Sequence, residues 1–265
     1  MYESYSSLKF ERRGAVLVIT LDNPPTNAAD VGIHRELSTV FEDVARDVDT
    51  RVVVITGAGT RAFSAGGDLD VMIDQFTNID SLRTQIDEAG RLLHALLALD
   101  KPVIARINGH AIGFGATLAL FSDISYAIDS AKIADPHVGV GLVAGDGGAL
   151  IWPQLIGYAR AREYLLTGDP IRAGEAATIG LITRAYPTHE ALDEAVYGLA
   201  ERLASGATPA INGTKTAINL VLRAQLGSLI EAHAGLEFMS SMTSEHREAV
   251  MAFKEKRKPD YGNAR

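Results

Sequence analysis

One histidine and one aspartate lie in a glycine-rich segment where they could move protons. His137 and Asp146 are nine residues apart, inside the run from 135 to 148. An imidazole with an ordinary pKa of about 6.5 can take up and return a proton at neutral pH. A carboxylate bonded to its second ring nitrogen would set its tautomer and stabilise the imidazolium. Two ordinary roles remain open: a structural histidine, and an aspartate that caps the helix predicted after Gly147-Gly148.

Two glycine-rich loops could supply free backbone N–H groups. The first, residues 62–69, follows a predicted strand at 52–57, and the second, residues 108–115, follows a predicted strand at 103–107. The second loop also opens a predicted helix, whose N-terminus favours negative charge. Two N–H groups that converge can form an oxyanion hole for a polarised carbonyl. The alternative is a pair of ordinary tight turns.

The elements that must position these loops alternate between strand and helix. Short β-branched runs predict four buried strands, at 15–21, 51–57, 103–107 and 124–128. Apolar residues at helical spacing predict helices around 37–48 and 81–99. This alternation predicts an α/β fold with parallel strands through about residue 135. The last third is mostly helical by the same criteria, with only 181–186 extended: 160–166, 173–178, 189–204, 209–224 and 226–256.

Composition excludes several classes of function. There is no cysteine, which excludes disulfides, thiolate metal sites and a cysteine nucleophile. The 33 acidic residues outnumber the 25 basic ones, for a net charge of −8, which argues against nucleic acid as a partner. No leader-like N-terminus and no long apolar run is present, so no membrane association and a cytoplasmic location are expected. No histidine pair has zinc-ligand spacing, and no metal is expected.

Five segments, in one order along the chain, resemble motifs of the crotonase superfamily, the enoyl-CoA hydratase/isomerase family. They are 62–69, 101–115, 123–127, 168–181 and 252–259. The resemblance implies a crotonase-like spiral of β-β-α turns with a helical C-terminal trimerisation region. It places the core and active site in residues 1–200 and the helical oligomerisation region in 201–265. A homotrimer or hexamer is implied as well.

The same resemblance implies a substrate and its contacts. The substrate would be an acyl-CoA thioester, with coenzyme A as part of it and no separate cofactor. Its carbonyl oxygen would accept hydrogen bonds from the N–H groups of Gly67 and Phe114. The residues expected to bind the substrate are Ala28, Ala65, Gly66, Asp68, Leu69, His110, Gly113 and Thr117.

The chain departs from the family's hydratases at both catalytic glutamates. Thr117 stands at the first of these positions and His137 at the second, directly after Pro136. A threonine hydroxyl has no useful pKa near neutrality and cannot act as a general base. Hydration by the two-glutamate mechanism is therefore not expected.

Three hypotheses follow. The favoured one is an acyl-CoA-binding lyase or isomerase that stabilises a thioester enolate, with His137 as acid and base and Asp146 as its partner. The second is a β-diketone C–C hydrolase, because a His–Asp pair in this segment resembles such members of the superfamily. The third is a catalytically inactive CoA-binding protein, motivated by Thr117.

Overall fold

Ten strands form two β-sheets in the computed structural model of the protein, which describes residues 1–263. The larger sheet has the order β1-β2-β3-β5-β7-β10, and the smaller one has the order β4-β6-β8-β9. The strands are β1 (Leu8–Arg13), β2 (Val16–Leu21), β3 (Val52–Gly57), β4 (Ala62–Ser64), β5 (Val103–Ile107), β6 (His110–Ile112), β7 (Ile124–Ile128), β8 (Lys132–Ala134), β9 (Ile171–Arg172) and β10 (Arg184–Tyr186).

Nine α-helices and one 3₁₀ helix surround these sheets within residues 1–263. The α-helices are α1 (Val31–Arg46), α2 (Leu69–Asp74), α3 (Ile79–Ala98), α4 (Phe114–Phe121), α5 (Gly148–Thr167), α6 (Ala173–Thr178), α7 (His189–Ala204), α8 (Thr208–Ser241) and α9 (Ser244–Lys254). The 3₁₀ helix spans His137–Val140. In this part of the chain, no helix combines the length and the apolar character that crossing a bilayer requires.

The larger sheet is parallel apart from its first hairpin. β1 and β2 pair antiparallel, whereas β2, β3, β5, β7 and β10 run parallel to their neighbours. Every residue of β3 is buried. A continuous apolar strand is typical of a parallel sheet that is covered on both faces. The α/β class and crotonase-like architecture expected from the sequence are thereby confirmed.

The smaller sheet carries the two glycine loops. β4 and β6 pair in parallel, with Ala62 opposite His110 and Ser64 opposite Ala111. Parallel strands end at the same edge of a sheet. The loops that follow β4 and β6 therefore leave the sheet side by side.

The helical C-terminal region differs in detail from the prediction. The predicted break near residue 225 is wrong, because α8 runs without interruption from Thr208 to Ser241. A helix tolerates an isolated glycine such as Gly227 at a cost of about 1 kcal/mol. The break falls instead at Met242–Thr243, where the Thr243 side chain caps α9.

The division expected after residue 200 falls inside α7, which packs against β2, β3, β5, β7 and β10 of the larger sheet. The helices that follow Ala204, α8 and α9, do not pack against this sheet as α7 does. The last two residues of the predicted region, 264 and 265, lie outside the described residues.

Candidate active site

The two glycine loops touch each other because glycines stand where they meet. Gly66 and Gly113 both adopt positive φ, at 85° and 52°. A Cβ at Gly66 would lie 2.7 Å from the carbonyl oxygen of Ile112, and a Cβ at Gly115 would lie 2.7 Å from Ser64. Only glycine allows this backbone conformation and this close approach together without strain. The sequence pattern therefore serves to bring two stretches of backbone into contact.

The two loops meet beside a cavity of about 930 Å³, which Gly67 and Phe114 both line. Phe114 is the first residue of α4, so its N–H has no acceptor within the helix. Among the backbone hydrogen bonds described for residues 1–263, none uses the Gly67 N–H; Ala29 bonds to the residues on either side of it. Free N–H groups on one wall of a cavity are the donors that an oxyanion needs.

His137 lies next to this wall and forms a hydrogen bond that sequence reasoning missed. Its Nδ1 pairs with Oδ1 of Asp135, whose side chain is fully buried. Its Cε1 lies 3.8 Å from where a Cβ would stand at Gly113. Asp146 was expected to orient the ring, but its Oδ2 lies 3.7 Å from Nε2, too far for a hydrogen bond. The orienting carboxylate is therefore Asp135, two residues before the histidine.

Asp146 faces the cavity with only weak hydrogen-bond donors around it. The Thr117 hydroxyl lies 3.3 and 3.4 Å from its two oxygens, and the N–H of Gly148 lies 3.4 Å away. The N-cap position of α5 belongs to Gly147, so Asp146 approaches this helix end without capping it in the usual geometry. Asp146 is therefore buried, and the protein offers its carboxylate only long, weak hydrogen bonds.

The electrostatics of this group follow from burial and opposing charge. Burial alone would lower the pKa of His137, but the carboxylates of Asp135 and Asp146 outweigh it and raise that pKa well above its ordinary value. Burial raises the pKa of Asp146, and the charge of Asp135 adds to this, although His137 works against it. The cluster therefore favours the imidazolium form of His137 beside a carboxylate that is more basic than an ordinary aspartate.

Glu237 of α8 also lines the cavity, and no sequence pattern indicated it. Burial raises its pKa to about 8; the charge of His137 opposes this shift, and those of Asp146 and Asp135 add to it. Glu237 is 100 residues from His137 in the sequence, on a long helix where no motif marks it. Only the packing of α8 reveals the proximity.

His34 of α1 lines the cavity beside Phe114. Its ring stacks on that of Phe114, with centroids 4.2 Å apart. Burial lowers the pKa of His34 to about 4, so this imidazole is neutral. The stack holds in place the residue whose N–H faces the cavity.

The residues expected to bind substrate lie around the cavity rather than on its lining. Three of them are buried supports: Gly66 and Gly113 shape the loops, and Thr117 contacts Asp146. His110 is exposed at the start of β6, where its Nδ1 accepts the N–H of Lys132. It does not line the cavity, contrary to the expectation.

The other four lie on the segments that lead into the first loop. Ala28 and Ala65 are half-buried, and Ala65 donates its N–H to the carbonyl of Thr26. Asp68 caps α2 by accepting the N–H groups of Asp70 and Val71, and the half-buried Leu69 begins that helix. None of the four is part of the cavity wall.

Asp135, His137 and Asp146 offer ligand atoms within 4.8 Å of one another, a separation that a metal ion could span. The two carboxylates face opposite nitrogens of the ring. A metal ion bound to one ring nitrogen of His137 could be coordinated only by the carboxylate nearer to that nitrogen. The cluster is better suited to holding protons than to holding a metal.

Comparison with known proteins places this geometry in a family. The sequence model described as Enoyl-CoA hydratase/isomerase matches residues 11–264. The chain belongs to the enoyl-CoA hydratase/isomerase family. The resemblance to the crotonase superfamily noted in the sequence is confirmed.

Relatives within the enoyl-CoA hydratase/isomerase family are similar over nearly their whole length. A short-chain-enoyl-CoA hydratase of Clostridium acetobutylicum is 32% identical over 251 residues, 94% of each chain. A carnitinyl-CoA dehydratase of Citrobacter koseri is 34% identical, over 96% of this chain and 97% of the relative. The crystal structure of an enoyl-CoA hydratase/isomerase from Mycobacterium paratuberculosis superposes with a TM-score of 0.90 at 32% identity, covering 94% of this chain and 99% of that one.

Proposed function

We propose that the protein is an enzyme that binds an acyl-CoA thioester and stabilises its enolate. One observation carries the proposal: two free N–H groups, of Gly67 and Phe114, line the same cavity as His137 and Asp146. The named relatives include hydratases and a dehydratase of CoA thioesters, which supports this substrate class. Coenzyme A would enter as part of the substrate, with no separate cofactor.

The two N–H groups would act on the thioester carbonyl. Its oxygen would accept hydrogen bonds from Gly67 and Phe114, and the N-terminus of α4 would add favourable potential to the negative charge that develops there. Donors fixed in advance stabilise such an oxyanion without reorganisation, and losing one donor typically lowers turnover by about 10² to 10³. The thioester α-carbon would then lie beside the proton-transfer group.

Proton transfer would fall to the His137–Asp146 pair. The carboxylate of Asp146, with its raised pKa, would remove the α-proton. The imidazolium of His137, held by Asp135, would offset the negative charge and return a proton. Because the two groups share one environment, they would titrate as a pair.

Solvent exchange tests the proposal without knowledge of the natural acyl group. Acetyl-CoA and butyryl-CoA are incubated with enzyme in D₂O, and deuterium at the α-carbon is measured by mass spectrometry. Wild-type protein should label the α-carbon, and His137→Ala should lower the rate by about 10² to 10⁴. Glu201→Gln, an exposed change on α7, serves as the control. Calorimetric binding of either thioester with no labelling would reject enolate formation.

Hydrolysis of a C–C bond in a β-diketone is the second candidate. The observation that favours it is the Asp135–His137 hydrogen bond, which leaves Nε2 on the side away from Asp135. In its neutral form, a histidine oriented in this way can take a proton from water. Reaction of cyclic β-diketones in ¹⁸O-water should then place the label in a carboxylate product, and an unlabelled product would exclude this reaction.

A further inference from the structure

We propose that Glu237 is a second catalytic residue, the acid that protonates the departing oxygen when a 3-hydroxyacyl thioester loses water. This inference rests on the proposed enolate chemistry and adds the reaction that follows it. In this chain Thr117 occupies a position where a carboxylate would face the substrate, and its hydroxyl cannot serve as an acid near neutral pH. A helix from the C-terminal region would supply the missing proton.

Close packing at Gly145 brings Glu237 to the cavity. A Cβ at Gly145 would lie 2.4 Å from the carbonyl oxygen of His233 and 2.7 Å from Cβ of Glu237. No side chain fits there without moving the α8 backbone. The absence of a side chain at Gly145 therefore lets α8 approach the residue next to Asp146.

A hydrogen bond holds α8 in this position. The Ser240 hydroxyl, one turn beyond Glu237, accepts the N–H of Val143 at 3.0 Å. The same hydroxyl donates to the carbonyl of Glu237 at 2.7 Å. Together, these two hydrogen bonds fix the position of Glu237 relative to residues 143–146.

The Glu237 carboxyl is available to a ligand. Its residue is half-buried and lines the cavity together with Gly67, Phe114 and His137. Its oxygen Oε2 would lie 2.9 Å from a Cβ at Gly145, the residue before Asp146 in the chain. Across residues 1–263, no side-chain hydrogen bond engages this carboxyl. With a pKa of about 8, it is mostly protonated at neutral pH.

The step balances with the groups that are present. The carboxylate of Asp146 takes the proton from C2, and the electron pair forms an enolate whose oxygen is bound by Gly67 and Phe114. The pair then forms the C2–C3 double bond as the C3–O bond breaks. Glu237 gives its proton to the departing hydroxyl, which leaves as water. Asp146 has gained one proton and Glu237 has lost one, and transfer between them restores the enzyme.

The test separates water loss from enolate formation. Dehydration is followed by the ultraviolet absorbance of the enoyl product with 3-hydroxybutyryl-CoA and 3-hydroxyoctanoyl-CoA. Exchange at the α-carbon is followed in D₂O with butyryl-CoA, which has no hydroxyl to lose. Glu237→Gln should lower kcat for dehydration by about 10² to 10⁴ while leaving exchange within about threefold. Glu237→Asp, which keeps an acid on a shorter arm, should recover part of the dehydration.

Glu201→Gln, an exposed change on α7, is the matched control and should alter neither dehydration nor exchange at the α-carbon. A Glu237→Gln enzyme that dehydrates at the wild-type rate overturns the inference. So does a wild-type enzyme that exchanges the α-proton but dehydrates neither substrate, and in that case the proposed function stands. Absence of both reactions in the wild type would instead reject the proposed function itself.

Discussion

Two buried aspartates in this protein have opposite electrostatics. Asp47, at the end of α1, is 5% exposed, and Asp146, in the cavity, is 8% exposed. Burial raises the pKa of both groups, yet the net shift is downward for Asp47 and upward for Asp146. Low solvent exposure alone therefore does not decide the direction of the pKa shift.

Hydrogen-bond donors account for the difference. The Asp47 carboxylate accepts bonds from Thr50 at 2.7 Å, Arg12 at 2.6 Å and Tyr2 at 2.9 Å, and these outweigh its burial. Asp146 has only donors at 3.3 Å or more from Thr117 and Gly148. A carboxylate that is fully bonded stabilises the fold, and one that is left weakly bonded keeps its basicity for chemistry.

The largest expected effect comes from a substitution beside the cavity. Asp135→Asn should lower turnover by about 10² to 10⁴, because the amide cannot hold the His137 imidazolium or its tautomer. The melting temperature should fall as well, because the amide leaves the buried His137 imidazolium without its counter-charge, so turnover is measured below the melting range. Steady-state kinetics and thermal unfolding of the same preparation check both statements. Wild-type turnover in this variant would show that the Asp135–His137 bond has no part in catalysis.

Asp47→Asn, at the end of α1, should have a different pattern: it should lower stability and leave activity unchanged. Hydrogen bonds to charged groups contribute about 1.5 to 3 kcal/mol each, so a loss of about 3 kcal/mol is expected where several are weakened together. Urea unfolding measures the free energy, and turnover below the melting range measures the site. A loss of activity equal to that of Asp135→Asn would mean that the two regions are coupled.

Removing the cavity carboxylate should have a smaller and opposite effect on stability. A raised pKa in the folded state means that the Asp146 charge costs stability at pH 7. Asp146→Asn should therefore stabilise the protein by about 1 kcal/mol while it lowers α-proton exchange. Chemical denaturation at pH 7 gives the sign of the change in unfolding free energy. A destabilised variant would contradict the conclusion that the Asp146 charge costs stability.

The smallest expected effect is a difference in acid sensitivity. Because the folded pKa of Asp47 is lowered, its contribution to stability is fully present above the unfolded pKa of about 3.9 and is lost as pH falls toward the folded pKa. Wild-type stability should fall more steeply below about pH 5 than that of Asp47→Asn. Unfolding series at several pH values compare the two slopes, and parallel slopes would exclude this linkage.

Much of the fold could be predicted because its signals are local. The apolar run of β3 and the glycine loops at 62–69 and 108–115 lie within single short segments. The hairpin strand β1 was not predicted, since its sequence, LKFERR, is mostly charged and only Leu8 is buried. The continuity of α8 was missed: two helices, 209–224 and 226–256, were predicted where one helix runs from Thr208 to Ser241.

The sequence by itself determined the family and the parallel α/β core, and it located the two glycine loops. It also has Thr117 and His137 at the positions where the resemblance to the family's hydratases implies glutamates. These features depend on residue type and short spacing, and elementary backbone chemistry is enough to interpret them.

Only the tertiary structure decided how the charged groups pair. It bonded His137 to Asp135, left Asp146 at 3.7 Å, and brought Glu237 to the same cavity through the packing of α8 at Gly145. Asp135 is only two residues from His137, yet no sequence pattern singled it out. Glu237 is 100 residues away, and its proximity depends on how helices and turns pack. The pKa shifts of His137, Asp146 and Glu237 follow from these contacts.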